Sequence, residues 1–159
     1  MSTTVEANLA LVRRTYELWN LGGPDPLVEQ IWPADVVFHE SPEMPDTGVF
    51  RGVEAVVDRM RDLVDLAGHF QFNLHSIEGR GDYVLASCEI NVEGAISGLR
   101  KRMRIFHVLR CRGGHVREFR AHFDAKRARR EYERLAGGRR YSSPRRLSSS
   151  AICLRSAFS

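Results

Sequence analysis

The chain has 159 residues, 43% of them hydrophobic, enough for one ordinary globular domain with a real core. Its net charge of +4 is unevenly spread: Arg139, Arg140, Arg145, Arg146 and Arg155 fall in residues 137–159, which hold no Asp or Glu, so residues 1–136 carry 19 basic against 20 acidic side chains. That balance argues against a domain built around a phosphate-binding face. The absence of any run near ~20 apolar residues argues against a membrane span, and three cysteines without a Cys-x-x-Cys pair argue against a disulfide framework or a structural zinc site.

The first residues, Met-Ser-Thr-Thr-Val-Glu, lack a basic stretch followed by an apolar run, so a cytoplasmic location is the expectation. Val5, Leu9, Val12, Tyr16 and Trp19 recur at helical spacing and predict a first helix from about Thr4 to Asn20, capped by Thr4 and stopped by Gly22-Gly23-Pro24. A short helix is expected from Pro26 to Ile31, then a strand over Asp35–Glu40, then a loop from Ser41 to Phe50 with two prolines. Val53, Val56, Val57, Met60, Leu63 and Val64 mark a third helix over Gly52–Leu66.

From there the period changes to two. Phe70, Phe72 and Leu74 alternate with polar residues, as do Val84 to Val92, Met103 to Leu109, and Phe119, Ala121 and Phe123. Gly79-Arg-Gly81 and Arg112-Gly-Gly114 read as tight turns, so these four strands are expected to pair as antiparallel neighbours. Cys88, inside one of them, is expected to be a buried inert thiol. A last helix, Ala125 to Leu135, ends at Gly137-Gly138. Helices on one face of an antiparallel sheet give an α+β fold. Residues 1–136 form the domain, and residues 137–159, rich in Ser and Arg, read as a disordered basic tail.

Several side chains carry candidate chemistry. Asp124 stands where a strand becomes a helix, a position that suits either an N-cap or the base of a pocket. His107, between Ile105 and Leu109 on an apolar face, is either a core histidine or a donor to a developing oxyanion. His39 and Glu40 point to opposite sides of their strand, and His39 is the one favoured for the interior. Glu118, Arg120 and His122 share a face. They form an ion-paired ladder, or Arg120 and His122 hold the carboxylate or carbonyl of a ligand. Trp19, Trp32, Phe70, Phe72 and Phe106 are the expected apolar contacts, with Trp19 and Phe72 foremost. His39, His107 and His122 come from three strands, a spacing that neither supports nor forbids a metal. No metal and no cofactor are expected. Nor is a nucleic-acid role expected of the folded domain, since the Arg100-Lys-Arg102 cluster lacks interleaved aromatics.

The order of elements, with Phe38-His39-Glu40, Gly48-Val-Phe-Arg51-Gly52 and the strand ending in Phe123-Asp124, resembles the SnoaL-like branch of the NTF2-like superfamily over roughly residues 5–136. The resemblance implies a cone: a strongly curved antiparallel sheet wrapped around three to four helices, with an apolar pocket. It implies relatives among polyketide cyclases and ketosteroid isomerase-like enzymes, in whose cyclase members a strand-end Asp acts as base and a His on the neighbouring strand lies in the pocket. The matching residues here are Asp124 and His107. The expectation is therefore a protein that binds a small apolar, carbonyl-bearing metabolite and isomerises, cyclises or hydrates it without a cofactor. The alternative is a non-catalytic module that either binds a ligand or serves assembly, the latter as a homodimer joined through its open sheet face.

Overall fold

The computed structural model describes residues 4–44, 47–93 and 100–141. Helix α1 (Val5–Gly22) begins where expected, with the Thr4 hydroxyl accepting a 3.1 Å hydrogen bond from the Ala7 amide. Helix α2 (Pro24–Gln30) starts two residues earlier than its second proline suggested. Strand β1 (Val37–His39) then pairs with a strand hidden in the predicted loop, β2 (Val49–Arg51). Three residues between glycines carry almost no pattern of their own, and the hairpin is fixed by its partner. Gly52, with φ at +91°, turns β2 directly into α3 (Val53–Ala67), a backbone conformation that a side chain would strain.

Four long strands follow: β3 (Gln71–Arg80), β4 (Tyr83–Glu93), β5 (Arg100–Arg112) and β6 (His115–His122), and then helix α4 (Ala125–Tyr141). The six strands lie in the order β2-β1-β6-β5-β4-β3. Every neighbouring pair is antiparallel except β1 and β6, which are parallel with Val37 beside Glu118 and His39 beside Arg120. The sheet is therefore mixed, and the α+β class expected from the pattern holds.

The two sheet faces are dressed differently. On the inner face, Val12, Tyr16 and Trp19 of α1, Leu27 of α2 and Val56 and Met60 of α3 meet Val84, Cys88, Ile105, Leu109, Phe119 and Ala121 in one buried cluster. Helix α1 lies so close to β3 that a Cβ on Gly79 would stand 3.0 Å from Val5 Cγ1. Asn20 extends this clamp, accepting from the Phe72 amide at 2.8 Å and donating to the Phe72 carbonyl at 2.9 Å, so its amide substitutes for a neighbouring strand.

Helix α4 does not join the others. Ala128, Tyr132 and Ala136 close over Leu85 and Val108, which point away from the inner cluster. The expectation of all helices on one face fails here because an Ala-rich stripe does not say which face it will cover. The same packing carries α4 through Gly137-Gly138 to Tyr141, against a propensity cost of about 1 kcal/mol per glycine. The tail expected from composition lies, from residue 142 onward, outside the described residues. Among the described residues no helix is long and apolar enough to cross a membrane.

Candidate functional site

Between the inner face and helices α1–α3 lies a cavity of about 270 Å³. Its wall is almost wholly apolar, with Trp19, Trp32, Phe38, Phe70, Phe72, Phe119 and Phe123 supplying the aromatic surface. The aromatics support one another: Phe38 stacks on Phe119 at 4.6 Å between centroids, and Trp32 lies on the other side of Phe119 at 5.6 Å. Trp19 is held by its indole N–H, which donates to the Phe70 carbonyl at 2.8 Å.

Four polar side chains reach this wall: Thr15, Tyr16, Glu40 and His107. Thr15 is spent on its own helix, donating to the Leu11 carbonyl at 2.8 Å. Tyr16 and His107 form a buried pair, with the phenol oxygen 2.8 Å from Nδ1. Burial lowers the His107 pKa to about 4, with the nearby His122 adding to the effect, so the ring is neutral near pH 7. Burial also pushes the Tyr16 phenol well above its ordinary value, with the adjacent Cys88 contributing. When the neutral phenol donates to Nδ1, the imidazole proton sits on Nε2, and that atom is the donor left for a ligand.

Glu40 is the carboxylate of the wall. Its side chain is 4% exposed, and Arg59 of α3 reaches it with Nε 2.9 Å from Oε2. The guanidinium in turn lies 5.4 Å over the Phe50 ring. A buried carboxylate needs such a partner, because an unpaired charge in this setting would cost several kcal/mol.

The structure sorts the sequence-derived candidates by strand parity. His107, Trp19 and Phe72 face the cavity, as do Trp32 and Phe70. His39 does not: β1 points Phe38 and Glu40 inward, and His39 turns outward to pair with Glu118, whose carboxyl is held below its usual range by that hydrogen bond. Arg120 and His122 lie on the outer face of β6. Arg120 is 3.1 Å from Glu118 and 3.6 Å from Glu131 of α4, the ladder rather than the ligand clamp. Phe106 is also outside, packed with Tyr83 and Leu135 in the cluster under α4. His107 is thereby separated by the sheet from His39 and His122, which removes the geometry for a shared metal.

Asp124 is the largest correction. It is exposed at the start of α4 and outside the cavity wall, and one oxygen accepts from the amides of Lys126 at 2.8 Å and Arg127 at 3.3 Å. The Arg127 and Lys126 amides hold its carboxyl below the usual range. The strand ends at His122, so Asp124 has already left the sheet and serves as the cap. Tyr16 and Arg59 were not singled out by sequence. Tyr16 reads as one more member of the α1 stripe. Glu40 was passed over in favour of His39, although the face it shares with the apolar Phe38 was the signal that could have found it.

The profile of the SnoaL-like domain matches residues 12–119, and the chain belongs to that family. Solved structures agree on the fold. A protein from Jannaschia sp. CCS1, proposed to be a SnoaL-like polyketide cyclase, is 16% identical over 76% of this chain and 88% of its own, with a TM-score of 0.65. An NTF2-like protein of unknown function from Burkholderia pseudomallei is 20% identical over 82% of this chain and 97% of its own, at 0.64. TerC, co-crystallized with polyporic acid, is 15% identical over 80% of this chain and 98% of its own, at 0.66. No curated protein matches the chain.

Proposed function

We propose that the inner cavity binds a small, largely apolar, carbonyl-bearing metabolite and catalyses its cofactor-free isomerisation or cyclisation, with Glu40 in the role that the family resemblance implied for Asp124. The observation that carries the proposal is the composition of the wall: aromatic surface interrupted by one neutral phenol–imidazole pair and one carboxylate. The cavity, at about 270 Å³, sits near the lower end of small-molecule sites, which run from roughly 300 Å³ upward.

The chemistry follows from the groups. The ligand carbonyl accepts a hydrogen bond from His107 Nε2, with Tyr16 fixing the ring. Glu40 takes a proton from the adjacent carbon; the C–H electron pair moves into the enolate, and its charge is stabilised at the oxygen by His107. Returning the proton to a different carbon isomerises the ligand, and attack of the enolate carbon on a second carbonyl closes a ring. The family's polyketide-cyclase neighbours and the polyporic acid held by TerC support this substrate class.

The test is proton exchange. The chain is incubated in deuterated water with a panel of aromatic ketones, while Trp19 and Trp32 fluorescence reports binding. Loss of the α-proton signal by NMR is expected in the native chain, with Glu40→Gln abolishing it and Asp124→Asn leaving it. Exchange that survives Glu40→Gln overturns the assignment of the base.

One observation favours a second reading. The Arg59–Glu40 pair can hold the carboxylate as a structural element, leaving a binding module without turnover. Ligand binding with no exchange in the native chain selects it. A dimeric form of that module has less of the outer face than expected, because α4 covers part of β4, β5 and β6; sedimentation of the full chain decides whether it forms.

A further inference from the structure

A shallow, open depression of about 260 Å³ lies on the opposite side of the sheet, where the end of β6 meets α4. It is lined by His122 and by Arg127, Arg130, Glu131 and Arg134. The four helical residues are spaced i, i+3, i+4 and i+7, so they form one edge of α4 beside the apolar stripe that holds the helix down. The near-neutral total of the domain hides this local excess of positive charge.

The ion pairs do not use it up. Glu131 is shared by Arg134, with Nε at 2.9 Å, and by Arg120 at 3.6 Å. Arg127 and Arg130 have no side-chain ion pair of their own among the described residues. The carboxylate they act on is Asp124, whose Oδ1 is already taken by two backbone amides. Beneath them, both ring nitrogens of His122 are closed off from solvent and lack a hydrogen-bond partner among the described residues. An imidazole always carries at least one N–H, and a buried donor without an acceptor is a rarity that calls for an explanation.

We propose that this open depression is a binding site for a phosphate group, free or carried by a small metabolite, with Arg127 and Arg130 as its charged clamp and a His122 ring nitrogen as its donor. Guanidinium forks match the oxygens of a tetrahedral oxyanion, and a shift of these exposed side chains opens the path to the imidazole. The site is separate from the inner cavity and does not depend on what that cavity does.

The groups facing His122 set the pH dependence. Burial and the charges of Arg120 and Arg127 lower its pKa, Glu131 and Glu43 raise it, and Arg130 and Arg134 complete the rim. A bound dianion favours the protonated ring, so filling the site raises the His122 pKa; over the same range the phosphate loses its second charge, so the shifted His122 titration rather than a tighter affinity is the pH signature.

The experiment titrates the full chain with potassium phosphate at fixed ionic strength and follows the His122 ring by 1H–13C NMR. A saturable shift is expected, with the His122 titration moved to higher pH. The Arg127→Gln/Arg130→Gln variant should weaken binding by about tenfold or more, the effect of losing charged hydrogen bonds. Glycerol phosphate in place of inorganic phosphate tells a carried phosphoryl group from the free ion, and saturable binding of either supports the site. A His122 signal that does not saturate, equal affinity in the double variant, or acetate binding as tightly as phosphate overturns the proposal.

Discussion

The inner and outer faces of the same sheet are held by different physics. The inner face is closed by aromatic rings and aliphatic side chains, each worth about 1.5–3 kcal/mol when fully buried. The outer face is held by a short apolar strip under α4 and by ion pairs such as Glu78–Arg129 and Glu118–Arg120, and exposed pairs of this kind contribute only about 0–1 kcal/mol. The same strands supply both, through nothing more than the alternation of their side chains. The inner side can therefore enclose an unfilled hollow, because its rings brace one another, while the outer side stays wet and charged.

The sharpest way to break this contrast is to remove a brace. Phe119→Ala takes away the ring between Trp32 and Phe38 and should lower stability by about 4 kcal/mol in urea unfolding, whereas Arg120→Ala, one residue along on the other face, should cost less than about 1 kcal/mol. Equal losses would mean that the faces do not differ as described. Next in size is the buried pair. Arg59→Met strands the Glu40 carboxylate and should cost about 3 kcal/mol, and adding Glu40→Gln should recover most of it. A double variant no more stable than Arg59→Met would show that the pair is not the source of the loss.

His107 gives a pH signature of the inner face. Its folded pKa of about 4 lies below its ordinary 6.5, so between those values the unfolded chain takes up a proton that the native ring refuses. Stability should therefore fall as pH drops from 6.5 toward 4, by about 3 kcal/mol in all, and His107→Asn should flatten that slope. The smallest effect belongs to Asp124. Its depressed carboxyl adds stability above the usual Asp range that is lost as pH falls, and Asp124→Ala should lower Tm slightly without touching ligand binding in the cavity. Lost ligand binding in that variant would return Asp124 to the site.

The long alternating strands were legible because one face is buried and the other largely wet, which leaves a period of two in β3 to β6, and that alternation put Phe72 of β3 and His107 of β5 on the face that lines the cavity. Where elements are short, the pattern runs out. Two strands of three residues each left β2 unseen and made the choice between His39 and Glu40 a matter of one residue's parity. Phe106 was misplaced for a different reason: an aromatic on a strand says that it is buried, not on which side, and α4 provides a second interior. Asp124 lay in the same blind spot. Residue type suited both cap and base, and only the end of β6 at His122 decides between them.

The parallel pairing of β1 with β6 constrains the order of assembly. Val37 to His39 find their central neighbours only at Glu118 to Arg120, so during synthesis the β1–β2 hairpin has no sheet to join until nearly the whole domain has emerged. Native closure must then wait for a contact between distant parts of the chain, a slow kind of step. In the interval the aromatic rings of the amino-terminal half lack the strands that cover them, so an unfinished chain exposes more aggregation-prone surface than the finished domain.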